Sequence, residues 1–345
     1  MKPLPGFESL PIWAGLPRGP MKVGVIYNSF SHKSMSPEEC EMKSTGLAVG
    51  KHLRLLGHDV QFFDMDSPAS IEDLCGSSID VAFDVCERVN DDPRGEAYAA
   101  GLLEYLGIPH TRTSSWQILL GVDKTRIKAL LSLHAIATPN YQIFRCETEP
   151  LRSDMAFPLF VKSATSENSI GIDERSLVND VDQLTRQLKQ VLGELKSPAL
   201  VEQYIDGREI NVAILPGVTP TVLPIAEIEF GDLPSERRYL DYRSKWFEES
   251  EQCQKTVPRC PADLSAAEQR TITETALKCY EVLGLDSYVR VDIRFKDGIP
   301  YVLEINQNPS IGEENCGYVR SCDRYGLDYA RMLDAILGNA MRRSK

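Results

Sequence analysis

The stretch Ser287–Asn308 reads SYVRVDIRFKDGIPYVLEINQN and decides the fold that the rest of the chain must fit. In Val289–Ile293 apolar and polar residues alternate, which is the period of two of a β-strand. The same alternation returns in Val302–Asn306, and Asp297-Gly298 between the two segments is a typical hairpin turn. The pattern predicts a β-hairpin near the end of the chain.

Each strand of this predicted hairpin carries two charged or polar side chains on one face. Arg290 and Asp292 share one face of the first strand, and Glu304 and Asn306 share one face of the second. Mg²⁺ prefers oxygen ligands and is usually held by one or two carboxylates together with substrate phosphates. Arg290 adds a planar cation suited to an oxyanion. The alternative is a solvated hairpin face with a surface ion pair, but the strongly apolar flanks favour a central sheet and a magnesium site.

Composition sets the outer bounds. A chain of 345 residues with 42% hydrophobic and 26% charged residues is typical of a globular protein with two or three compact units. Its net charge of −12 disfavours nucleic acid as a partner. No apolar run is long enough for a membrane helix. Nine cysteines, an odd number without a Cys-x-x-Cys pair, indicate reduced thiols. The proline-rich segment 1–20 is expected to be a flexible leader, and Met21 is an alternative start.

Periodicity predicts an open α/β layer over Met21–Arg112, because short apolar strands alternate there with helices. A strand-rich half follows, and Ser265 with Glu268 has the spacing of a capping box. The predicted strands besides the hairpin are Lys22–Tyr27, Val60–Phe63, Val81–Val85, Tyr141–Phe144, Leu159–Lys162, Leu200–Gln203, Glu209–Leu215 and Val222–Ile228, and the predicted helices are Glu39–Leu56, Ala97–Leu106, Asp123–His134, Val181–Leu192, Ser265–Leu283 and Tyr325–Leu337.

Three further residues lie where a nucleotide would need them. Lys162 ends an apolar run before a polar loop, and a lysine at a strand end can reach phosphates. Glu202 follows another apolar run, and Glu209 comes after the turn Asp206-Gly207. A carboxylate there suits ribose hydroxyls. Each feature alone is weak, since a single charged residue is more often solvated.

Taken together, the motifs resemble the ATP-grasp superfamily and, within it, the D-alanine–D-alanine ligase family. The similarity spans about Lys22 to Leu337, and the motifs occur in family order. They are Gly-Ile-Pro-His-Thr (107–111), Asp123-Lys124, Phe-Pro-Leu-Phe-Val-Lys (157–162), Val-Glu-Gln-Tyr-Ile-Asp-Gly-Arg-Glu-Ile (201–210), Asp-Tyr-Arg-Ser-Lys-Trp (241–246), Val-Arg-Val-Asp (289–292) and Leu-Glu-Ile-Asn-Gln-Asn-Pro (303–309).

The resemblance implies an α/β (α+β) ATP-grasp fold, in which an N-terminal open α/β domain precedes two α+β subdomains that sandwich ATP. The implied division is a leader (1–20), the N-terminal domain (21–112), a central subdomain (113–199) and a C-terminal subdomain with the metal site (200–345). It also implies a ligase that activates a carboxylate with ATP as an acyl phosphate, which an amine then attacks to give an amide.

The resemblance assigns roles to matching residues. The implied ATP ligands are Lys124, Lys162, Ser169, Glu202, Tyr204, Ile205, Glu209 and Lys245, with Glu202, Tyr204 and Ile205 at adenine, Glu209 at ribose and Lys245 on a mobile loop. Asp292, Glu304 and Asn306 would hold two Mg²⁺, with Mn²⁺ as a substitute. Arg290 would steady the acyl phosphate, and Lys245 and Ser310 complete the catalytic set.

The amino-acid pocket departs from the family pattern. The matching positions are Cys40 (with Glu39 and Glu41 adjacent), Asn168 and Trp246, and Ser310 stands where the family usually has glycine. Glu87, in the segment after the third strand, is expected either to serve a substrate or simply to coat a loop. The loop that covers the phosphates reads Ser166-Glu167-Asn168-Ser169 instead of Glu-Gly-Ser-Ser. We therefore expect a divergent ligase that joins an amino acid to a small amine or a second amino acid.

Two alternatives stay open at this point: a genuine D-alanine–D-alanine ligase of a divergent subfamily, or a non-catalytic nucleotide-binding protein. The resemblance implies small-molecule amino-acid or amine substrates, no nucleic-acid or membrane partner, a cytoplasmic location and a homodimer formed through the N-terminal domain.

Overall fold

A computed structural model describes residues 19–30, 35–313 and 316–344. The predicted leader lies almost wholly outside these residues. The N-terminal layer consists of a parallel sheet in the order β2-β1-β3 with helices packed against it. Its elements are β1 (Lys22–Tyr27), α1 (Pro37–Leu55), β2 (Asp59–Asp64), α2 (Pro68–Cys75), β3 (Val81–Asp84) and α3 (Gly95–Leu106). The β-α-β alternation of the sequence therefore gives the open layer that it predicts.

Two helices lead into a second sheet. They are α4 (Ser115–Val122) and α5 (Lys124–Leu133), and Ser114 and Asp123 cap their first turns with side-chain oxygens. The antiparallel sheet runs in the order β4-β7-β5-β6. Its elements are β4 (Tyr141–Phe144), β5 (Leu159–Ser163), β6 (Leu177–Val178), α6 (Val181–Lys189) and β7 (Ala199–Gln203).

The third sheet is antiparallel in the order β11-β10-β8-β12-β13, and β9 pairs with β8. A core of Ile, Val and Leu side chains packs this sheet against α5 and against the long helix Ala266–Val282. The elements are β8 (Arg208–Leu215), β9 (Thr221–Val222), β10 (Ala226–Glu229), α7 (Tyr242–Trp246), α8 (Glu251–Lys255), β11 (Val257–Arg259), α9 (Ala266–Val282), β12 (Val289–Lys296), β13 (Ile299–Asn306), α10 (Gly317–Tyr325) and α11 (Tyr329–Arg343).

The predicted hairpin is confirmed as β12 and β13. Asp297 and Gly298 have φ values of 50° and 78°, so the turn has the two left-handed residues that match strand twist in a tight hairpin. Arg290 lies opposite Asn306 and Asp292 opposite Glu304, and the register shifts after Asp292. The two polar pairs therefore face each other on adjacent strands.

Packing in the structure crosses the predicted domain boundaries at three places. The boundary at 199/200 cuts β7, which pairs with β4 and β5 and belongs to the central sheet. Helix α4 packs its Ile118 and Val122 against Ala97 and Ala100 of α3, although it was assigned to the central unit. Helix α11 shares a core with β1 and α1, and this core also contains Ala213 and Leu215 of β8, so α11 belongs to a core that spans the N-terminal layer and the third sheet.

Some predicted elements are also wrong. The strand Val222–Ile228 is two strands, because Pro224 has no N–H for the ladder. The predicted helix Tyr325–Leu337 starts too early: α10 ends at Tyr325, the φ of Gly326 is 95°, and Asp328 caps α11, which begins at Tyr329. Helices α2, α4, α7, α8 and α10 were missed. The capping box at the start of α9 is confirmed, with Ser265 N donating to Glu268 at 2.8 Å and Glu268 N to Ser265 at 3.3 Å.

No helix within the described residues is long and apolar enough to cross a membrane.

Candidate active site

The polar faces of β12 and β13 converge on Asp292. Its carboxylate accepts two bonds from Arg290, from Nε at 2.7 Å and from Nη2 at 2.9 Å. It also accepts from Asn306 Nδ2 at 2.8 Å and from Asn211 Nδ2 at 2.7 Å. Asn211 was missed by the sequence reading. It lies opposite Asp292 on β8, a pairing that only the register of the third sheet reveals.

Asp292, Glu304 and Asn306 thus present two carboxylates and an amide on one side of adjacent strands, as predicted. This set of hard oxygen donors fits Mg²⁺. Glu304 is paired with Lys124, whose Nζ lies 2.7 Å from Oε1. Burial alone would raise the pKa of Glu304, but Lys124 and Lys162 outweigh it and hold the pKa at about 2. The carboxylate is therefore charged at neutral pH and available to a cation.

The predicted phosphate lysines lie on the central unit and face this hairpin. Lys124 Nζ also donates to the carbonyl oxygen of Ser166 in the loop after β5, at 2.8 Å. Lys162 Nζ lies 2.7 Å from Glu202 Oε2. Both lysines are buried, and each has a carboxylate partner that an incoming phosphate would have to replace or share.

Lys128 is a third lysine of the site that the sequence reading missed. It pairs with Glu202 and donates to Thr138 Oγ1 at 2.6 Å and to Val302 O at 3.0 Å. Burial lowers its pKa to about 8, although Glu202 acts in the opposite direction. Its position four residues after Lys124 on α5 places both on one face of the helix. Helical spacing was the signal that could have identified it.

The predicted adenosine residues lie together, with one addition. Glu209 pairs with Arg294 Nη2 at 2.7 Å, and Arg294 donates to Gly207 O at 2.9 Å. The guanidinium lies 5.8 Å from the ring of Tyr204. Ile205 is the next residue of the same linker. Arg294 was missed by the sequence reading. It forms an ion pair with Glu209, the carboxylate that was expected to bind ribose.

Two loops that the resemblance implies would close over ATP touch each other. Trp246 Nε1 donates to Asn168 O at 3.3 Å, and Ser169 Oγ donates to Leu240 O at 3.2 Å. Asn168 and Ser169 have φ values of 54° and 60°, a left-handed backbone that is uncommon outside glycine. Lys245 is exposed on α7, where the charges of Arg290, Glu304 and Asp292 act on it.

On the amino-acid side of the site, the structure does not support one predicted pocket residue, Cys40. Cys40 is exposed, whereas Glu38 and Glu39 of the same turn are buried. The buried positions of α1 follow the helical period through Glu38, Met42 and Thr45, which turns Cys40 outward. Glu38, which was missed, accepts a bond from Tyr242 Oη at 2.6 Å.

The other predicted pocket residues do meet. Ser310 Oγ donates to Glu41 Oε1 at 2.5 Å and lies 3.1 Å from Cys316 Sγ. Asn168 Nδ2 donates to Glu87 Oε2 at 3.1 Å. These contacts join α1, the segment after β3, the loop after β5 and the segment after β13. Residues far apart in sequence thus line one side of the reaction centre.

Glu87 makes the stability of the protein depend on pH. Burial, then Glu167 and Glu41, raise its pKa to about 7, against lowering by Asn168 and Arg88. Because the folded pKa lies above the unfolded value, folding is favoured at low pH and this contribution is lost as pH rises from about 4.5 through 7.

Glu87→Gln should therefore raise the melting temperature at pH 8 by roughly 2–4 °C, as ~1 kcal/mol does in a domain of 150–250 residues. The gain should vanish near pH 4.5. Thermal unfolding of both proteins across this pH range measures it. An equal gain at every pH would show that the charge of Glu87 is not its cause.

Comparison with known proteins adds independent information. A family model described as the D-ala D-ala ligase C-terminus matches residues 130–338. The D-alanine–D-alanine ligase of Cupriavidus pinatubonensis is 30% identical over 300 residues, 86% of this chain and 84% of that protein. The Bacillus anthracis protein of that name is 32% identical over 246 residues, which are 70% of this chain and 74% of that protein. An uncharacterized protein of Sinorhizobium fredii is 32% identical over 264 residues, which are 76% of this chain and 75% of that protein.

Solved structures agree. The D-alanine–D-alanine ligase of Bacillus anthracis complexed with ATP superposes with a TM-score of 0.75 at 26% identity, covering 94% of this chain and 98% of that one. The D-Ala:D-Ser ligase VanG of Enterococcus faecalis has a TM-score of 0.73 at 21% identity, covering 93% and 100%. The predicted α/β (α+β) fold is thereby confirmed.

Proposed function

Because this chain belongs to the D-alanine–D-alanine ligase family and is an ATP-dependent ligase that forms carbon–nitrogen bonds, we propose that it activates an amino-acid carboxylate at the hairpin site described above. The carboxylate oxygen would attack the γ-phosphorus of ATP, giving an acyl phosphate and ADP. An amine would then attack the acyl carbon, lose a proton and release phosphate, leaving an amide. One observation carries this proposal: two bonded pairs, Arg290–Asp292 on β12 and Lys124–Glu304 between α5 and β13, lie side by side because Asp292 is opposite Glu304 on adjacent strands.

Each side chain has a proposed part in that reaction. Lys124 and Lys162 bind the phosphates as point charges, and Tyr204, Ile205 and Glu209 bind the adenosine. Arg290 faces the reacting carboxyl oxygens and stabilises their developing negative charge. Lys245 reaches the γ-phosphate from α7. The chemistry is positioning and electrostatics, so a protein nucleophile is not required.

We propose Mg²⁺ as the metal of this site, held by Asp292, Glu304 and Asn306. When bound, the metal would supply positive charge that offsets the negative charge developing on the transferring phosphoryl group. The amide N–H of Asn306 donates a hydrogen bond to Asp292. The amide oxygen of Asn306 is therefore directed away from that carboxylate and is available as a metal ligand. Asn211 and Arg290 hold the other side of Asp292 in place.

A second candidate is condensation of two D-alanines, favoured by the names of the relatives at 30–32% identity. The contacts in the amino-acid pocket weigh against this chain using the same substrates as those relatives. Glu87, Asn168 and Ser310 stand at positions where the family pattern differs, and each is engaged in the hydrogen bonds described above. We therefore favour an amino-acid pair other than two D-alanines.

Mg²⁺-dependent release of ADP from ATP tests both candidates, measured with D- and L-amino acids singly and in pairs, with mass spectrometry of the products. A product mass equal to the condensation of one pair supports the ligase and names its substrates. Efficient condensation of D-alanine with itself would replace our first candidate by the second. ADP release without any condensation product would contradict amide formation.

We also propose that the protein forms a homodimer through its N-terminal layer and acts in the cytoplasm, where ATP is supplied. Apolar side chains are exposed on both α3 and α4, with Tyr105 at 87% and Trp116 at 69% exposure. Such a surface is unusual for a face that meets only water. Light scattering of the full chain and of Trp116→Glu measures the molar mass that this arrangement requires.

A further inference from the structure

Three polar side chains follow one another along the site face of β12. They are Arg290, Asp292 and Arg294, and they alternate with Val289, Val291, Ile293 and Phe295, which pack into the core behind the sheet. Arg290 and Asp292 already have proposed parts in the reaction. Neighbours on one face of a strand lie ~7 Å apart, so Arg294 continues the same line to the end of the site where Glu209 lies on β8.

The guanidinium of Arg294 is buried, with 3% of the residue exposed, and it has three hydrogen-bond acceptors. Nη1 donates to Gly207 O at 2.9 Å, and Nη2 donates to Glu209 Oε2 at 2.7 Å. Nη2 also donates to the carbonyl oxygen of Arg238, which is far from both in the sequence. One side chain of β12 therefore connects the linker after β7, the proposed ribose carboxylate of β8 and a third part of the chain.

The third part of the chain is the segment that carries α7. We call residues 230–246 the α7 segment, which runs from the end of β10 through α7. Besides Arg294, Tyr204 also binds this segment. Its Oη donates to two carbonyl oxygens, that of Ser235 at 2.7 Å and that of Arg238 at 3.3 Å. The first half of the α7 segment is thus held by residues of the proposed adenosine site.

The second half of the α7 segment reaches the reaction centre. Tyr242 and Trp246, at the two ends of α7, donate hydrogen bonds to α1 and to the loop after β5. Lys245, the proposed ligand of the γ-phosphate, lies between them. A shift of the backbone at Arg238 would be passed along a short connection to Lys245. The same stretch of chain therefore contacts both ends of the nucleotide site.

We propose that Arg294 is a positioning residue that couples binding of the nucleoside to the placement of Lys245. The inference rests on the proposed function, since it assigns a residue within that site. Ribose hydroxyls that donate to Glu209 would hold this carboxylate in the orientation in which Arg294 bonds it and the Arg238 carbonyl together. The α7 segment is then fixed, and Lys245 is held at the γ-phosphate, when the whole nucleotide is in place.

The shape of the guanidinium makes this role specific to arginine. Its N–H donors diverge in one plane, so Arg294 can bond two carbonyl oxygens and a carboxylate at once. The bond to Glu209 is charge-assisted, which makes it stronger than a bond between neutral groups. Lysine would keep the charge and lose the fixed geometry. Methionine would keep an unbranched side chain and lose every one of these bonds.

The first test separates an effect on rate from an effect on affinity. Arg294→Met should lower kcat for ADP release at saturating ATP at least about 10-fold, the factor that ~1.4 kcal/mol supplies. Arg294→Lys should recover only part of this loss. A residue that merely supports the ATP pocket would raise KM for ATP and leave kcat unchanged. That result would overturn the inference.

A double-mutant cycle shows whether Arg294 acts through Lys245. We would measure kcat for Arg294→Met, for Lys245→Ala and for the protein with both substitutions. If the two residues act as one unit, adding Arg294→Met to Lys245→Ala should lower kcat further by no more than about twofold. Losses that multiply would mean that the two residues act independently, which contradicts the coupling.

Arg208→Met is the matched control. Arg208 lies in the same sheet on the opposite face, where it is bidentate to Glu227 at 2.7 and 2.6 Å and donates to Asp263 O at 2.7 Å. Its substitution therefore also removes an arginine–carboxylate pair and a bond to a carbonyl oxygen. The kcat of this variant should match the wild type. An equal loss of kcat in Arg208→Met would attribute the effect to the sheet as a whole and overturn the inference.

A binding measurement separates this inference from the proposed function, because it requires no turnover. Hydrogen exchange of the α7 segment would be measured with and without Mg²⁺ and saturating adenylyl imidodiphosphate, an ATP analogue that is not hydrolysed. The analogue should slow exchange there at least about 10-fold in the wild type and in Arg208→Met. Arg294→Met should lose this protection.

The outcomes of the exchange measurement are distinct. Protection that survives in Arg294→Met, or that is missing in the wild type, would overturn the coupling. Absence of ADP release with every amino acid would overturn the proposed reaction, and the exchange measurement would still decide the role of Arg294. If Arg294→Met does not fold, Arg294→Lys takes its place and should keep only part of the protection.

Discussion

Asp292→Asn is expected to lower the rate of ADP release at least about 100-fold, within the range seen when a preorganised group that stabilises transition-state charge is removed. The substitution keeps the shape of the side chain but removes the negative charge that holds the proposed metal. It also removes the partner of Arg290. Steady-state kinetics over a range of Mg²⁺ concentrations measures the effect, and half-maximal rate should require more Mg²⁺ than in the wild type.

Asp323→Asn is the control for this prediction, because Asp323 is exposed on α10 and loses the same charge. Its rate should match the wild type. The melting temperatures of both variants show whether the fold survives. If Asp292→Asn turned over within threefold of the wild type at every Mg²⁺ concentration, Asp292 would not be a metal ligand.

Arg290→Ala is expected to lower kcat about 100-fold or more while KM for ATP changes little. The reason is that the guanidinium is proposed to meet charge that develops on the reacting carboxyl oxygens and not on bound ATP. Arg290 is bidentate to Asp292, so the guanidinium is already fixed in place before substrate arrives. Initial rates at varied ATP, together with direct measurement of ATP binding, separate the two parameters.

Arg290→Lys sharpens the result. Lysine keeps the charge but loses the planar fork, so it should recover only part of kcat. Parallel losses of ATP binding and kcat in both variants would instead mean that Arg290 acts by orienting Asp292. The two outcomes are distinguishable because Asn211 and Asn306 still hold Asp292 in either variant.

The hairpin was predictable because its information is local. Asp297-Gly298 sets the turn, and the alternation on each side sets the faces, so Arg290, Asp292, Glu304 and Asn306 follow from the sequence. Lys162 was indicated by its place at a strand end and Lys124 by the resemblance to a family, and the structure brings both to the same centre.

The missed residues Asn211 and Arg294 depend on the pairing of strands that are far apart in the sequence, which the sequence alone does not reveal. Asn211 meets Asp292 only because β8 lies beside β12, and Arg294 meets Glu209 across the same pair of strands. Cys40 was wrong for a different reason. The helix begins at Pro37, and the buried side chains that follow fix a register in which Glu38 faces the site.

The sharing of one core by α11, α1 and β1 has a consequence for how this protein is made. Side chains such as Leu333 and Ile336 of α11 pack with Val23 and Val25 of β1. Domains generally fold in order as the ribosome releases them. Here α1 can cover part of the first sheet early, but the part of this core that α11 fills stays exposed until all three sheets have been made. Chaperone contact during translation should therefore concentrate on the N-terminal layer.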